Sequence, residues 1–534
     1  MVLSDGSATL DLDFSIPAPE VSGVAGSAQS AGAGAWIVHW PLDEAQWKAL
    51  ADARPDLLVL GNARVLLSEG EPFVQALREI RERLGARPAL WAPRVALPHR
   101  LALLTYLGVD LLDTTETVWK ASEGTYFDLE SGSSEPARTV AERWCDCAAC
   151  QSEGAIDRPS HALALLERER RAVLTAIRAG RLRERVETRL TAEPLLAELL
   201  RYADGHFARL LDERTPVTGR DVHTYVLRES HRRPEVRRYQ ERLLTRYRPP
   251  PGKRILLVVP CSKTKPYRNS RSHRRFRGAI EDLPGLPTVH VVSITSPLGA
   301  VPRELEDVPP ARHYDIPVTG DWEESERRGV REAFERLVVA GSYVRAVVHL
   351  DPDEYAFLRP VFPESLQPVW TMMDHRSTSP AALNALHEAV GEALATAPAR
   401  TDGPLGIVRE ELEAVAAFQF GTEAAGRLFA PPVRLHGRPW FQRITDATGV
   451  DLATWREERG LFQLTAAGGL RLLPSHPLEV EVAEGVPLLG DLFVPGVRTA
   501  DPAIRSGDAV LLVRNGVLLA VGEAELPGRL MMEL

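Results

Sequence analysis

The chain has 534 residues, 44% of them hydrophobic and 26% charged, with a formal net charge of −9. This is ordinary globular composition, long enough for three or four domains, and no run approaches the roughly 18 apolar residues of a membrane span. The acidic balance argues against indiscriminate nucleic-acid binding, so any RNA contact would use local basic patches.

The N-terminus lacks a basic stretch followed by an apolar one, so it does not read as a secretory signal. Four cysteines cannot frame a chain of this size with disulfides, and three of them lie together between 145 and 150. That clustering favours a metal site in a reducing compartment, and a cytoplasmic protein is expected.

Residues 1–35 end in small residues and read as a flexible leader. Strands are expected at 35–40, 57–60, 89–93 and 109–113, with amphipathic helices at 42–53, 72–84 and around 100–107. Such alternation predicts a parallel sheet. Cys145, Cys147 and Cys150 offer three soft ligands within six residues, close enough to share one tetrahedral zinc ion. His161, the nearest candidate for the fourth ligand, begins an expected helix. A closed four-ligand site is structural, since no position stays open for substrate. Residues 162–248 are helical in pattern and dense in arginine, with interleaved glutamates that predict paired, solvated faces. The prolines at 249–251 mark a linker.

Beyond it, the apolar run 255–259 reads as a buried parallel strand that breaks at Pro260 and delivers Cys261, Lys265, Tyr267, Ser270 and His273 in one loop. Ligands bind at the carboxyl ends of strands in open α/β sheets. From Lys263 to Arg277 there are seven Lys/Arg and no acid, which points to a phosphate-bearing partner. Lys263, Arg268, Arg271, Arg274 and Arg275 are the candidate RNA contacts. Strands at 288–293 and 344–350, with a helix at 325–339 between them, extend this α/β domain, and Asp351 ends the second strand. Residues 401–475 read as a small α+β unit with little visible chemistry. After 476, strands alternate with glycine turns.

The pattern Pro260-Cys261, Lys265-Pro266-Tyr267, Ser270 and His273 resembles the signature of archaeosine synthases, tRNA-modifying paralogues of the archaeal tRNA-guanine transglycosylases. The segments 233–250, 296–305 and 313–318 resemble the same family, and the final fifty residues resemble a PUA domain, a small RNA-binding β-barrel. The resemblance implies an α/β multidomain protein: a degenerate transglycosylase-like barrel with a zinc motif (36–250), an α/β catalytic domain (251–400), the α+β unit (401–475) and the PUA domain (476–534). Asp113 stands where the transglycosylases carry a nucleophilic aspartate, and His161 matches their fourth zinc ligand. Their second aspartate motif is missing, and the front of the chain is short for a full barrel, so Asp113 is at most a vestigial nucleophile.

The function implied is addition of an amine to the nitrile of 7-cyano-7-deazaguanine at position 15 in the tRNA D-arm. Lysine is the expected donor, with glutamine or ammonium as alternatives, and a separate radical enzyme would complete the amidine. Cys261 either attacks the nitrile to form a thioimide or packs beneath the loop. Lys265, Tyr267 and His273 are expected to move protons and balance charge, and Ser270 to orient by hydrogen bonding. Base exchange by an active transglycosylase and a non-catalytic tRNA scaffold are the rival readings.

Overall fold

The structure, a computed structural model, describes residues 27–32, 34–134, 145–219, 222–317, 322–372, 375–397, 404–475 and 478–533. It divides into two compact units, one of residues 1–211 with 533–534 and the other of residues 212–532. Most of the expected leader lies outside the described residues. Its end departs from expectation, because Ser27–Gly32 (β1) forms an edge strand antiparallel to Ala35–His39 (β2).

In the first unit, β2, Leu57–Leu60 (β3) and Ala89–Trp91 (β4) pair in parallel and in chain order, and Trp91 bridges in parallel to Leu111. Helices Glu44–Ala53, Glu71–Leu84 and Leu101–Tyr106 fill the crossovers. Asp43 starts the first with a reciprocal capping box to Gln46. The second buries the stripe Phe73, Val74, Leu77 and Ile80. Its Arg81 turns inward, donating to the Pro88 and Gly108 carbonyls and pairing with Asp110 at 2.5 Å, so one buried cation fixes both strand ends. This sequential order is that of a β/α barrel, but the sheet does not close among the described residues. A hairpin of Tyr126–Asp128 (β5) and Gly132–Ser134 (β6) follows.

The arginine-rich helices pair as expected, but several of the pairs are buried and not on solvated faces. Arg170 and Arg171 both reach Glu167, and Arg183 forks onto Asp204 at 2.6 and 2.7 Å. Arg185 and Arg189 close on the fully buried Glu169.

The expected boundary near 250 falls inside the second unit. Residues 212–250 join that unit because His223–Thr224 (β7) pairs in parallel with Tyr314–Asp315 (β11), Arg238 clasps Asp212, and Tyr239 donates to the Ala300 carbonyl. At its centre stands a five-stranded sheet. Its strands are Ile255–Pro260 (β8), Val289–Thr295 (β9), Gly299–Pro302 (β10), Arg345–Val348 (β12) and Pro368–Trp370 (β13), in the order β10-β9-β8-β12-β13. Only β10 is antiparallel. β8 is buried on both faces: Leu256 and Val258 pack with Phe334 and Leu337, while Leu257 and Val259 pack with Phe276 and Leu386. A continuous apolar run is what a doubly covered parallel strand requires.

After helices Pro404–Phe420 and Thr422–Leu428, four antiparallel strands run from Val433 to Leu464 (β14–β17). The last sheet contains Glu479–Val482 (β18), Val497–Ala500 (β19), Ala509–Arg514 (β20) and Val517–Glu523 (β21). Its order is β19-β18-β20-β21, with β18 and β20 parallel. No helix among the described residues is long and apolar enough to cross a membrane.

Candidate active site and candidate metal centre

The loop after β8 brings the signature residues to the carboxyl end of the sheet's central strand. Cys261 donates its backbone N–H to the Ile294 carbonyl, which holds it beside the end of β9. Burial pushes its thiol up. The Thr295 hydroxyl bonded to it and the Lys265 charge oppose that shift, whereas the Glu354 charge adds to it. Lys265 projects its Nζ over the face of Tyr314, 4.1 Å from the ring centroid, and burial lowers its ammonium. Tyr267 is fully buried, and its hydroxyl bonds that of Tyr314, which lies 2.7 Å from Thr295 Oγ1. Three hydroxyls therefore form one chain beside the cysteine.

Ser270 has a different job. It caps helix Arg271–Ile280, accepting the His273 N–H at 3.2 Å. The His273 ring stacks on Tyr267, and its Nε2–H donates to the Pro260 carbonyl at 2.9 Å. Its Nδ1 faces the Arg303 guanidinium at 3.3 Å. Burial, and then the Arg303 charge, lower its pKa to about 3. Both ring nitrogens are engaged, and the ring is neutral near pH 7.

The basic residues divide into two sets. Arg268 is held by Asp307 at 2.8 Å and Glu457 at 2.9 Å, and its backbone N–H binds Glu306. Lys263, Arg271, Arg274 and Arg275 are exposed, and Arg277 continues the same helix. Among the described residues none of the four makes an ion pair. Thr295 was within reach of the sequence, because 292–299 ends a strand with a hydroxyl and a glycine turn and so offers a second edge of the pocket, but Tyr314 and Arg303 were not legible as site residues. Their only signals were the family-like segments around 296–305 and 313–318, in which no residue type stands out for this chemistry.

In the first unit, Asp113 ends the stretch after Leu111, but its carboxylate is already occupied. It accepts from Arg94 N at 2.9 Å, Trp91 Nε1 at 3.3 Å and Thr115 N at 2.9 Å. Bonds to the charged oxygens make a carboxylate a poorer nucleophile. A cavity of about 390 Å³ lies here, lined in part by Ala96, Leu101, Leu112, Asp113, Leu163 and Arg170.

The Cys145, Cys147, Cys150 and His161 donor atoms all lie within 4.8 Å of one another. His161 Nε2–H donates to the Phe127 carbonyl at 2.9 Å, which leaves Nδ1 facing Cys150 Sγ at 3.2 Å and Cys147 Sγ at 3.4 Å. Tyr126 stacks on the imidazole with centroids 4.1 Å apart. Three thiols and one imidazole nitrogen, with the second nitrogen fixed by a carbonyl, fit a metal ion.

Two family models match the chain. One, a domain of unknown function designated DUF5591, covers residues 236–390, and the other, the patch-forming domain C2 of tRNA-guanine transglycosylase, covers residues 410–478. The chain is 33% identical over 499 residues to the archaeosine synthase of Haloferax volcanii, spanning 90% of this chain and 81% of that protein. It is 32% identical over 504 residues to the archaeosine synthase subunit alpha of Methanosarcina acetivorans, spanning 90% and 78%. The tRNA-guanine(15) transglycosylase of Methanothermobacter thermautotrophicus is a more distant relative, 27% identical over 461 residues. With a third of its residues shared over nearly its whole length, and with the signature cysteine, lysine and tyrosine gathered at the carboxyl end of one sheet, the chain belongs to the archaeosine synthase family.

Proposed function

We propose that this protein modifies tRNA carrying 7-cyano-7-deazaguanine at position 15, adding a primary amine, lysine by preference, to the nitrile carbon. The observation that supports it most directly is the Cys261 thiol at the end of β8, with the Thr295 hydroxyl and the Lys265 charge both acting on it. The thiol adds across the C≡N bond: sulfur bonds carbon, and a proton passes to nitrogen, giving a thioimide. The amine then attacks the same carbon, and sulfur leaves as thiolate and recovers a proton, leaving an N-substituted amidine. Lys265 balances the charge that develops on nitrogen, and the Tyr267–Tyr314–Thr295 chain holds Lys265 and the thiol in register. Ser270 and His273 fix the loop to the helix, and His273 has this clamping role instead of the proton transfer expected from sequence. A separate radical enzyme completes archaeosine.

The exposed face of Lys263, Arg271, Arg274 and Arg275 serves the tRNA backbone. Arg268 stays out of that face because carboxylates already hold it. The last sheet acts as the PUA-like RNA-binding module. Zinc is assigned to the Cys145, Cys147, Cys150 and His161 group, where it ties the segment 145–150 to the first turn of helix Arg158–Arg178.

The test is nucleoside mass spectrometry on nitrile-bearing tRNA after incubation with the protein and lysine, glutamine or ammonium. A mass gain matching one donor is expected and would name it, with Cys261→Ser giving none. Bound but unchanged tRNA would favour the scaffold.

A further inference from the structure

The proposed chemistry places a demand that the signature loop does not meet. A primary alkylamine is a cation near pH 7, its ordinary pKa being about 10.4. It must be held near the thioimide carbon and must lose a proton before its nitrogen can attack. The loop around Cys261 is basic, and Lys265 repels such a guest.

The neighbouring strand ends in the opposite charge. β12 lies parallel to β8, and His349 N donates to the Val258 carbonyl at 2.8 Å, so the residues leaving the two strands emerge side by side. Asp351 Oδ1 accepts the backbone N–H groups of Asp353 at 3.0 Å and Glu354 at 3.1 Å, which fixes the turn. Trp322 Nε1 donates to Glu354 Oε1 at 3.1 Å, and the buried Tyr355 hydroxyl bonds the same carboxylate. The rings of Trp322, Tyr355 and Phe357 pack together with centroids 5.5 to 6.1 Å apart. Cys261, Trp322 and Phe357 all border one apolar core.

Apart from Asp353, which is exposed, the other acids around the sheet end are taken. Glu304 binds His290 and Tyr247, Glu306 binds Arg303, Asp307 binds Arg268 and Arg312, and Asp351 binds His375. Asp315 faces Lys265. Among the described residues no cationic side chain pairs with Glu354, which is held by the neutral donors Trp322 and Tyr355.

We infer that Glu354 is a catalytic residue of the second step: its carboxylate receives the incoming alkylammonium and takes the proton that frees the amine to attack the thioimide. The Trp322, Tyr355 and Phe357 rings provide the wall for the donor's methylene stem. The proton passes from nitrogen to the Glu354 oxygen, and the thiolate that leaves carbon recovers one on release, so no external oxidant or reductant enters. This inference rests on the thioimide reading above.

The experiment compares the wild-type protein and Glu354→Gln on tRNA carrying the nitrile base, in three arms. Without amine, a covalent protein–tRNA adduct is scored on a denaturing gel. With lysine, product is measured by nucleoside mass spectrometry. With methoxyamine, which is uncharged near pH 7, the same product assay is run. Glu354→Gln should form the adduct like wild type, lose lysine transfer by about 100-fold or more, and keep methoxyamine transfer within a few-fold. Adduct formation also shows that the variant is folded. Trp322→Phe, which loses the indole donor, should raise the KM for lysine. Wild-type rates of lysine transfer in Glu354→Gln, or equal loss in all three arms, would overturn the assignment. A wild-type protein that forms neither adduct nor product would overturn the thioimide reading, and this inference with it.

Discussion

His273 makes the most quantitative prediction. Its pKa is lowered to about 3 in the folded chain, whereas an unfolded histidine titrates near its ordinary value of about 6.5. Above pH 6.5 the ring is neutral in both states and contributes no pH dependence. Below it the unfolded chain binds a proton that the folded chain refuses, so stability falls with pH until the folded ring titrates near 3. At 1.36 kcal/mol per unit, the loss is about 2 kcal/mol at pH 5 and about 5 kcal/mol once pH reaches the folded value. The perturbation is His273→Gln, whose amide can replace both ring contacts but does not titrate. Native-state hydrogen exchange at the Phe276 amide, inside the helix that Ser270 caps, reads the local opening free energy without requiring the whole chain to unfold in one step. After correction for intrinsic exchange, the wild-type protein should lose about 2 kcal/mol between pH 7 and pH 5 relative to the variant. Parallel curves for the two proteins would refute the buried, neutral clamp.

Four further outcomes follow from the same geometry. Ser270→Ala removes the N-cap of helix Arg271–Ile280 and should cost about 1 kcal/mol, visible as faster exchange in its first turn with Cys261 still in place. Lys265→Met removes the cation that favours the Cys261 thiolate, so iodoacetamide should alkylate Cys261 several-fold more slowly at pH 8 and the reaction's pH midpoint should rise. Arg274→Glu with Arg275→Glu should weaken tRNA binding and make log affinity fall less steeply with log salt, by roughly one in slope for each phosphate no longer neutralised. Cys147→Ser should lower bound zinc, measured by elemental mass spectrometry, from ~1 per chain and open residues 145–161 to proteolysis.

Features carried by contiguous residues were legible in the sequence. The run 255–259 announced a strand covered on both faces, and the break at Pro260 placed the polar residues at its end. Cys145, Cys147 and Cys150 lie close in sequence, so their convergence needed no fold, and only His161 had to be chosen from a distance. Residues 27–32 misled because small residues leave no apolar pattern, yet an edge strand needs only backbone partners. The pairing of β7 with β11 was illegible for a related reason. Two strands of two residues each, ninety residues apart, carry no periodic signal, and they draw 212–250 into the second unit.

The chemistry of the loop shows the sharper limit. Residue type suggests His273 as a proton carrier, but what decides its role is the Arg303 guanidinium and the Pro260 carbonyl on its two nitrogens, thirty and thirteen residues away. The same holds in reverse for Glu354. In Asp351-Pro352-Asp353-Glu354-Tyr355, three acids stand in five residues; Asp351 is marked by its place at the end of a strand, and nothing local marks Glu354. The difference is made across the sheet: Asp351 spends its oxygens on the turn and on His375, while Trp322 and Tyr355 hold Glu354 by neutral donors near the sulfur. A carboxylate that needs only solvation would gain little from being oriented there. One that must receive a proton from a cation needs a fixed position and no competing cation, and among the described residues Glu354 has both.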